Sequence, residues 1–195
     1  MAKKQITRDD VLDMDTYRAI RADKRAEMVS IKRDRRVAVG PDATFYFESH
    51  DTMWWQIHEM LFIEKGGEEQ IPDELAAYNP LIPQGRELIA TLMFEIDDPD
   101  RRKIVLSSLG GVEKTCVLSI NGEEIIATAE DDLDRTTADG KASSVQFVHF
   151  NLNDSQAAAF KREENQIMLG IKHPCYGHMT ILSGPARTSL SNDLD

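Results

Sequence analysis

A chain of 195 residues with a formal charge of −11 and 29% charged residues fits one soluble globular domain that can bury a real core. So acidic a surface argues against non-specific binding to nucleic acid or anionic membrane. No apolar stretch approaches the ~20 residues of a membrane span, and the lead-in MAKKQITRDD has no apolar signal core.

The cysteines Cys116 and Cys175 make no disulfide framework, so a cytoplasmic setting is expected. Residues 1–5 read as a flexible N-terminus. Thr7, Asp9 and Asp10 then resemble a helix start, with further starts available at Asp15 or Asp23. Apolar stripes through Val11, Leu12, Met14, Tyr17 and Ile20, then Met28 and Ile31, predict one or two helices over 7–33. Basic residues crowd 18–36, including Arg35 and Arg36. The run reads as the solvated side of a helix, the alternative being a docking face for an acidic partner.

Residues 36–40 and 44–48 have β character around the turn Gly40-Pro41-Asp42 and predict a hairpin. It leads into residues 51–65, DTMWWQIHEMLFIEK, which read as a helix apolar nearly all round, capped by Ser49 or Asp51 and ended by Gly66-Gly67. A helix of that kind is expected to be buried, with Gln56, His58 and Glu59 finding polar partners inside. A short helix over 72–78 stops at Asn79-Pro80, and a rigid loop follows to Gly85.

Residues 87–96 predict a central strand, and Pro99 opens a helix to about residue 109. Residues 116–120 and 124–128 flank Asn121-Gly122, the strongest hairpin signal in the chain. Residues 130–142 read as a mobile acidic loop. A strand over 144–152, a helix capped by Asp154, strands over 166–172 and 178–182, and a last helix near Pro185 complete the pattern. Strands joined by short turns predict an α+β single domain, a mainly antiparallel sheet with helices packed on one face. With no glycine-rich phosphate loop after a strand, a dinucleotide site is not expected.

Three constellations could carry chemistry. Around the tryptophan helix stand Glu48, His50, Asp51, Gln56, His58 and Glu59. Gln56 and Glu59 are three apart and share a helix face, whereas His58 points away. The zinc-protease pattern fails because Phe62 stands where its second histidine belongs. A Glu59-centred site oriented by Gln56 competes with a purely structural polar network. The hairpin tip His173-Pro174-Cys175-Tyr176-Gly177-His178 carries donors suited to zinc or iron. A fourth ligand would have to come from elsewhere, from a glutamate such as Glu59 or from His149. Tyr78-Asn79 on its rigid loop is a natural pocket wall. Cys116 reads as a small core residue.

Taken together, Arg35 to Pro41, Phe47-Glu48, Gln56-Ile57 with Glu59, Asp73-Glu74-Leu75, Ala77 to Pro83, Glu87-Leu88 and His173-Pro174 resemble the family numbered 3501 among domains of unknown function, over roughly residues 6–194. The resemblance implies a bacterial protein encoded beside rubrerythrin-like and iron–sulfur oxidoreductase proteins. The expected role is an accessory or partner module of a redox system, with one of those proteins as partner. It supplies no catalytic residue and leaves open whether the chain is an enzyme. Trp54, Trp55 and Cys175 depart from that family's pattern, so the resemblance directs attention to Glu48, Gln56, Glu59, Tyr78, Asn79 and His173. Two alternatives stand beside the accessory role. One is metal binding or metal-dependent catalysis through Glu59, His173, His178 and Cys175. The other is small-molecule binding under Tyr78 and Asn79.

Overall fold

The computed structural model describes residues 3–129 and 141–195. The expected acidic loop falls almost wholly outside them. Six α-helices, α1 (Met14–Arg33), α2 (His50–Glu64), α3 (Ile71–Tyr78), α4 (Pro99–Ser107), α5 (Asp154–Lys161) and α6 (Gly184–Ser191), alternate with strands and short 3-10 turns among the described residues. The strands are β1 (Arg36–Val39), β2 (Ala43–Phe47), β3 (Glu87–Phe94), β4 (Cys116–Ile120), β5 (Glu123–Ile126), β6 (Thr128–Ala129), β7 (Val145–Asn151), β8 (Ile167–His173) and β9 (Tyr176–Ile181).

Every pairing is antiparallel. The strands form two sheets, ordered β1-β2-β3-β7-β6 and β5-β4-β8-β9, and β3 holds the central place its apolar sequence predicts. Period-two burial explains how the sheets meet. Phe45, Phe47, Leu92 and Val148 from the first sheet and Leu118, Leu169 and Ile171 from the second share one buried core. Leu106 of α4, Phe160 of α5 and Leu190 of α6 join that core. The opposite face of the five-stranded sheet presents Ile89 and Phe147 to Met53, Ile57 and Leu61 of α2, with Ile71 of α3 beside them. Helices thus cover one face of one sheet, and the second sheet covers the other.

Local chemistry sets the boundaries. Asp13, not Thr7, caps α1, its carboxylate accepting from Asp15 N–H and Thr16 N–H; Thr7 caps a separate 3-10 turn, Arg8–Asp10. Ser49 caps α2, and Thr52 Oγ1 accepts from Ser49 N–H in return. The helix ends at Glu64 because Lys65 enters the left-handed region (φ 59), one residue ahead of the expected glycines. Asn153, rather than Asp154, caps α5. Asn121 (φ 50) and Gly122 (φ 89) make the tight β4–β5 turn that their types demand.

The two sheets are stitched at one end by Tyr176 of β9. Its hydroxyl accepts from Asp42 N–H and Ala43 N–H, both at 2.9 Å, and donates to Val39 O at 2.8 Å. The turn between β1 and β2 fits there only with a glycine. A Cβ on Gly40 (φ +72) would lie 2.6 Å from the His178 ring and 2.8 Å from the Tyr176 hydroxyl. Among the described residues no helix is long and apolar enough to cross a membrane.

The tryptophan helix is less uniformly buried than its composition predicts. Met53, Trp55, Ile57, His58 and Leu61 are buried, yet Ile63 is 63% exposed. Arg35 corrects the reading of the basic run as solvated. It is 5% exposed, whereas Arg18, Lys24 and Arg33 pair with neighbouring acids on the surface.

Candidate functional site

Glu48 sits where strand turns into helix. Its N–H bonds Ile89 O at 2.8 Å, extending the β2–β3 ladder by one residue before Ser49 caps α2. That geometry leaves the side chain on the helix-covered face of the five-stranded sheet. The residue is 8% exposed. Thr52 Oγ1 donates to its Oε2 at 2.6 Å, and Thr91 Oγ1 of β3 donates to its Oε1 at 2.7 Å. No basic side chain among the described residues forms an ion pair with it. A desolvated carboxylate held only by two hydroxyls is costly to fold around.

The backbone at Glu48 is fixed by Arg35. Its Nε donates to Phe47 O at 2.9 Å and its Nη2 to Glu48 O at 2.7 Å. The same guanidinium pairs with Asp193 and reaches Ser189 Oγ at 3.2 Å. Its charge is therefore spent on Asp193 and on carbonyls rather than on the Glu48 carboxylate.

Beside Glu48 opens a cavity of about 430 Å³, within the range of small-molecule sites. Met53, Leu81, Met93 and Phe147 supply apolar wall, and Gln56, Tyr78 and Lys32 supply polar groups. Thr52 and Gln56 are four apart on α2, so both side chains face the sheet. Gln56 Nε2 lies 3.5 Å from the Tyr78 hydroxyl, at the outer limit of a hydrogen bond. Burial pushes the Tyr78 phenol above its ordinary value, so it remains a neutral donor. Tyr46 donates to Glu95 at 2.6 Å at the rim.

Three of the six sequence-predicted binding residues, Glu48, Gln56 and Tyr78, thus line one cavity. Glu59 does not join them. It turns toward α1, where Arg21 grips it in a fork at 2.7 and 2.9 Å and Tyr17 donates at 2.7 Å. The Arg21 bond holds the Glu59 carboxyl below its ordinary value. Asn79 is a clamp: its amide exchanges two hydrogen bonds with the backbone of Ile6, at 2.8 and 2.9 Å. His173 lies far off at the β8–β9 tip, its Nδ1 accepting from Cys175 N–H at 3.2 Å.

The metal-ligand candidates do not converge either. Glu59 belongs to α2, His173 and exposed Cys175 to the hairpin tip, and His178 packs on the Tyr176 ring with centroids 4.6 Å apart. His149 lies 3.4 Å from Glu87. Among the described residues no group of three or more histidine, cysteine or acidic side chains could hold a metal ion. Cys116 is buried, as its strand predicts, and burial pushes its thiol far up.

Sequence reasoning missed Thr52, Thr91 and Arg35. Thr91 carried a signal, a hydroxyl in the middle of the apolar run ELIATLMF that has to find an acceptor. Thr52 is four residues past Glu48, a helix-start spacing that invites side-chain bonding. Arg35 gave none, being one cation among many.

Residues 5–194 match the family described as "Protein of unknown function (DUF3501)". A solved structure described as a novel protein of unknown function from Burkholderia pseudomallei K96243 is similar across 98% of this chain and 100% of its own, at 35% identity and a TM-score of 0.90. No curated protein matches the chain.

Proposed function

The chain belongs to the DUF3501 family, and from that premise we propose that it binds a small organic cation in the cavity beside Glu48. One observation carries this reading: a buried carboxylate with no cationic partner among the described residues borders a cavity of small-molecule size. An ammonium group entering there would gain a charge-assisted hydrogen bond in a poorly solvated site. The hydroxyls of Thr52 and Thr91 hold the carboxylate in place, so little conformational freedom is lost on binding. Met53, Leu81, Met93 and Phe147 favour an apolar body behind the charged head, and Gln56 and Tyr78 add orienting polar contacts.

Calorimetric titration with benzylammonium, against benzyl alcohol as its neutral counterpart, tests the reading. Saturable binding of the amine, on the order of tenfold or more tighter than the alcohol, is the expected result. Equal or absent binding of both overturns it. The accessory role beside a rubrerythrin-like or iron–sulfur protein is a further proposal, and a ligand-sensing module would suit it. Co-purification from native lysate, with and without benzylammonium, checks that role separately.

A further inference from the structure

The cavity beside Glu48 carries a second charge that a simple cation leaves unmatched. The charged residues that line it are Lys32, Arg35, Glu48 and Glu95. Arg35 is committed to Asp193 and to the Phe47 and Glu48 carbonyls. Glu95 is exposed and accepts from the Tyr46 hydroxyl at 2.6 Å, so water and a phenol already satisfy it. Two charges of opposite sign are left. Glu48 has no cationic partner, and Lys32 has no anion within ion-pair distance among the described residues.

The fold brings these two residues to one cavity. Lys32 stands in the last turn of α1 and is half-buried. Arg35 N–H donates to Lys32 O at 3.2 Å, and Phe47 N–H, one residue before Glu48, donates to Arg35 O at 2.9 Å. The end of α1 is thereby tied to the end of β2. A cation at a helix C-terminus is favoured by the helix dipole and ordinarily stands in water. Arg33 shows that arrangement, its side chain 73% exposed and paired with Asp34. Lys32 instead lines the cavity, where a partly desolvated ammonium lacks a counter-charge. A ligand with a second ammonium would meet Lys32 as a like charge, whereas a carboxylate would meet an opposite one. Glu48 is 8% exposed and Lys32 is partly open to solvent, so the two charges stand at different depths.

We propose that the ligand of this cavity is a zwitterionic amino acid with its two charges at opposite ends of an apolar body, the ammonium meeting Glu48 and the carboxylate meeting Lys32. The inference rests on the reading of the Glu48 cavity as a cation site and adds the chemistry of the ligand's other end. Met53, Met93 and Phe147 in the wall suit the apolar body. Lys32 then selects an amino acid over a simple amine or a diamine.

Calorimetric titration of the whole protein compares 4-(aminomethyl)benzoate with its methyl ester, the same cation with the carboxylate capped, and with benzylammonium. The acid is expected to bind on the order of fivefold more tightly than the ester. Lys32→Met, which keeps an apolar stem, should bring that ratio to about one, and Glu48→Gln should weaken the acid. Parity of acid and ester on the unaltered protein, with benzylammonium bound, overturns this proposal and leaves the cation site standing. Binding of none of the three overturns both. A ratio that survives Lys32→Met, or acid binding undiminished in Glu48→Gln, also overturns the proposal. Should Lys32→Met fail to fold, the comparison of acid and ester on the unaltered protein decides alone.

Discussion

His58 offers the sharpest test of how the helical layer is held together. The residue is fully buried. Its Nε2 accepts from Leu12 N–H at 3.0 Å, and its Nδ1 donates to Trp54 O at 2.7 Å. The ring packs against Trp54 at a tilt, with centroids 3.8 Å apart, and meets Tyr17 at 4.9 Å. Such an imidazole must be neutral, since one nitrogen accepts, and burial accordingly lowers its pKa from 6.5. His58→Phe keeps the ring but strands the Leu12 N–H, which costs about 2 kcal/mol. His58→Ala also removes the ring from between Trp54 and Tyr17 and opens a cavity, for a total of about 3–4 kcal/mol. Urea denaturation of the three proteins measures both steps.

The pH dependence has a definite sign. The unfolded chain takes up a proton near 6.5 while the folded chain resists it, so the contribution of His58 is present above that value. It is lost as pH falls from there toward the lowered folded value. The gap between the unaltered protein and His58→Phe should therefore narrow on acidification. A variant as stable as the unaltered protein, or a gap that widens below about pH 6.5, would refute the reasoning.

Other outcomes follow from the same geometry. Tyr176→Phe leaves Asp42 N–H and Ala43 N–H without their acceptor and should lower stability by about 2–3 kcal/mol in urea denaturation; an unchanged midpoint would show that the hydroxyl does not join the sheets. Glu59→Gln breaks the Arg21 fork, whose arginine side is 34% exposed, and should cost about 1 kcal/mol at neutral pH. Because Arg21 lowers the Glu59 pKa, that stabilisation is present above the ordinary carboxyl value and fades as pH falls through the lowered one. A difference persisting undiminished in strong acid would contradict the assignment.

The sequence displays the antiparallel α+β plan because local signals agree with the final packing. Asn121-Gly122 dictates its turn, Pro99 opens α4, and the run over 87–96 needs burial on both sides. Division into two sheets was not legible, since alternation shows which face a side chain takes but not what covers that face. The candidate site was half legible for a similar reason. Helical spacing puts Gln56 and Glu59 on one face, yet Glu59 turns from the sheet to α1 because Arg21, thirty-eight residues earlier, grips it there. Asn79 was recognised as a polar group on a rigid loop, but its clamp on Ile6 is a contact across seventy-three residues. Burial of Arg35 likewise depends on Asp193 at the far end of the chain.

Glu48→Gln tests the central claim most directly, by calorimetry with benzylammonium alongside urea denaturation of the free protein. Removing a buried charge that lacks a cationic partner should leave the free protein as stable as before or somewhat more stable, while benzylammonium affinity falls by on the order of tenfold or more. Undiminished affinity, or a protein that unfolds more readily with binding intact, would mean that the carboxylate serves the fold and not a ligand.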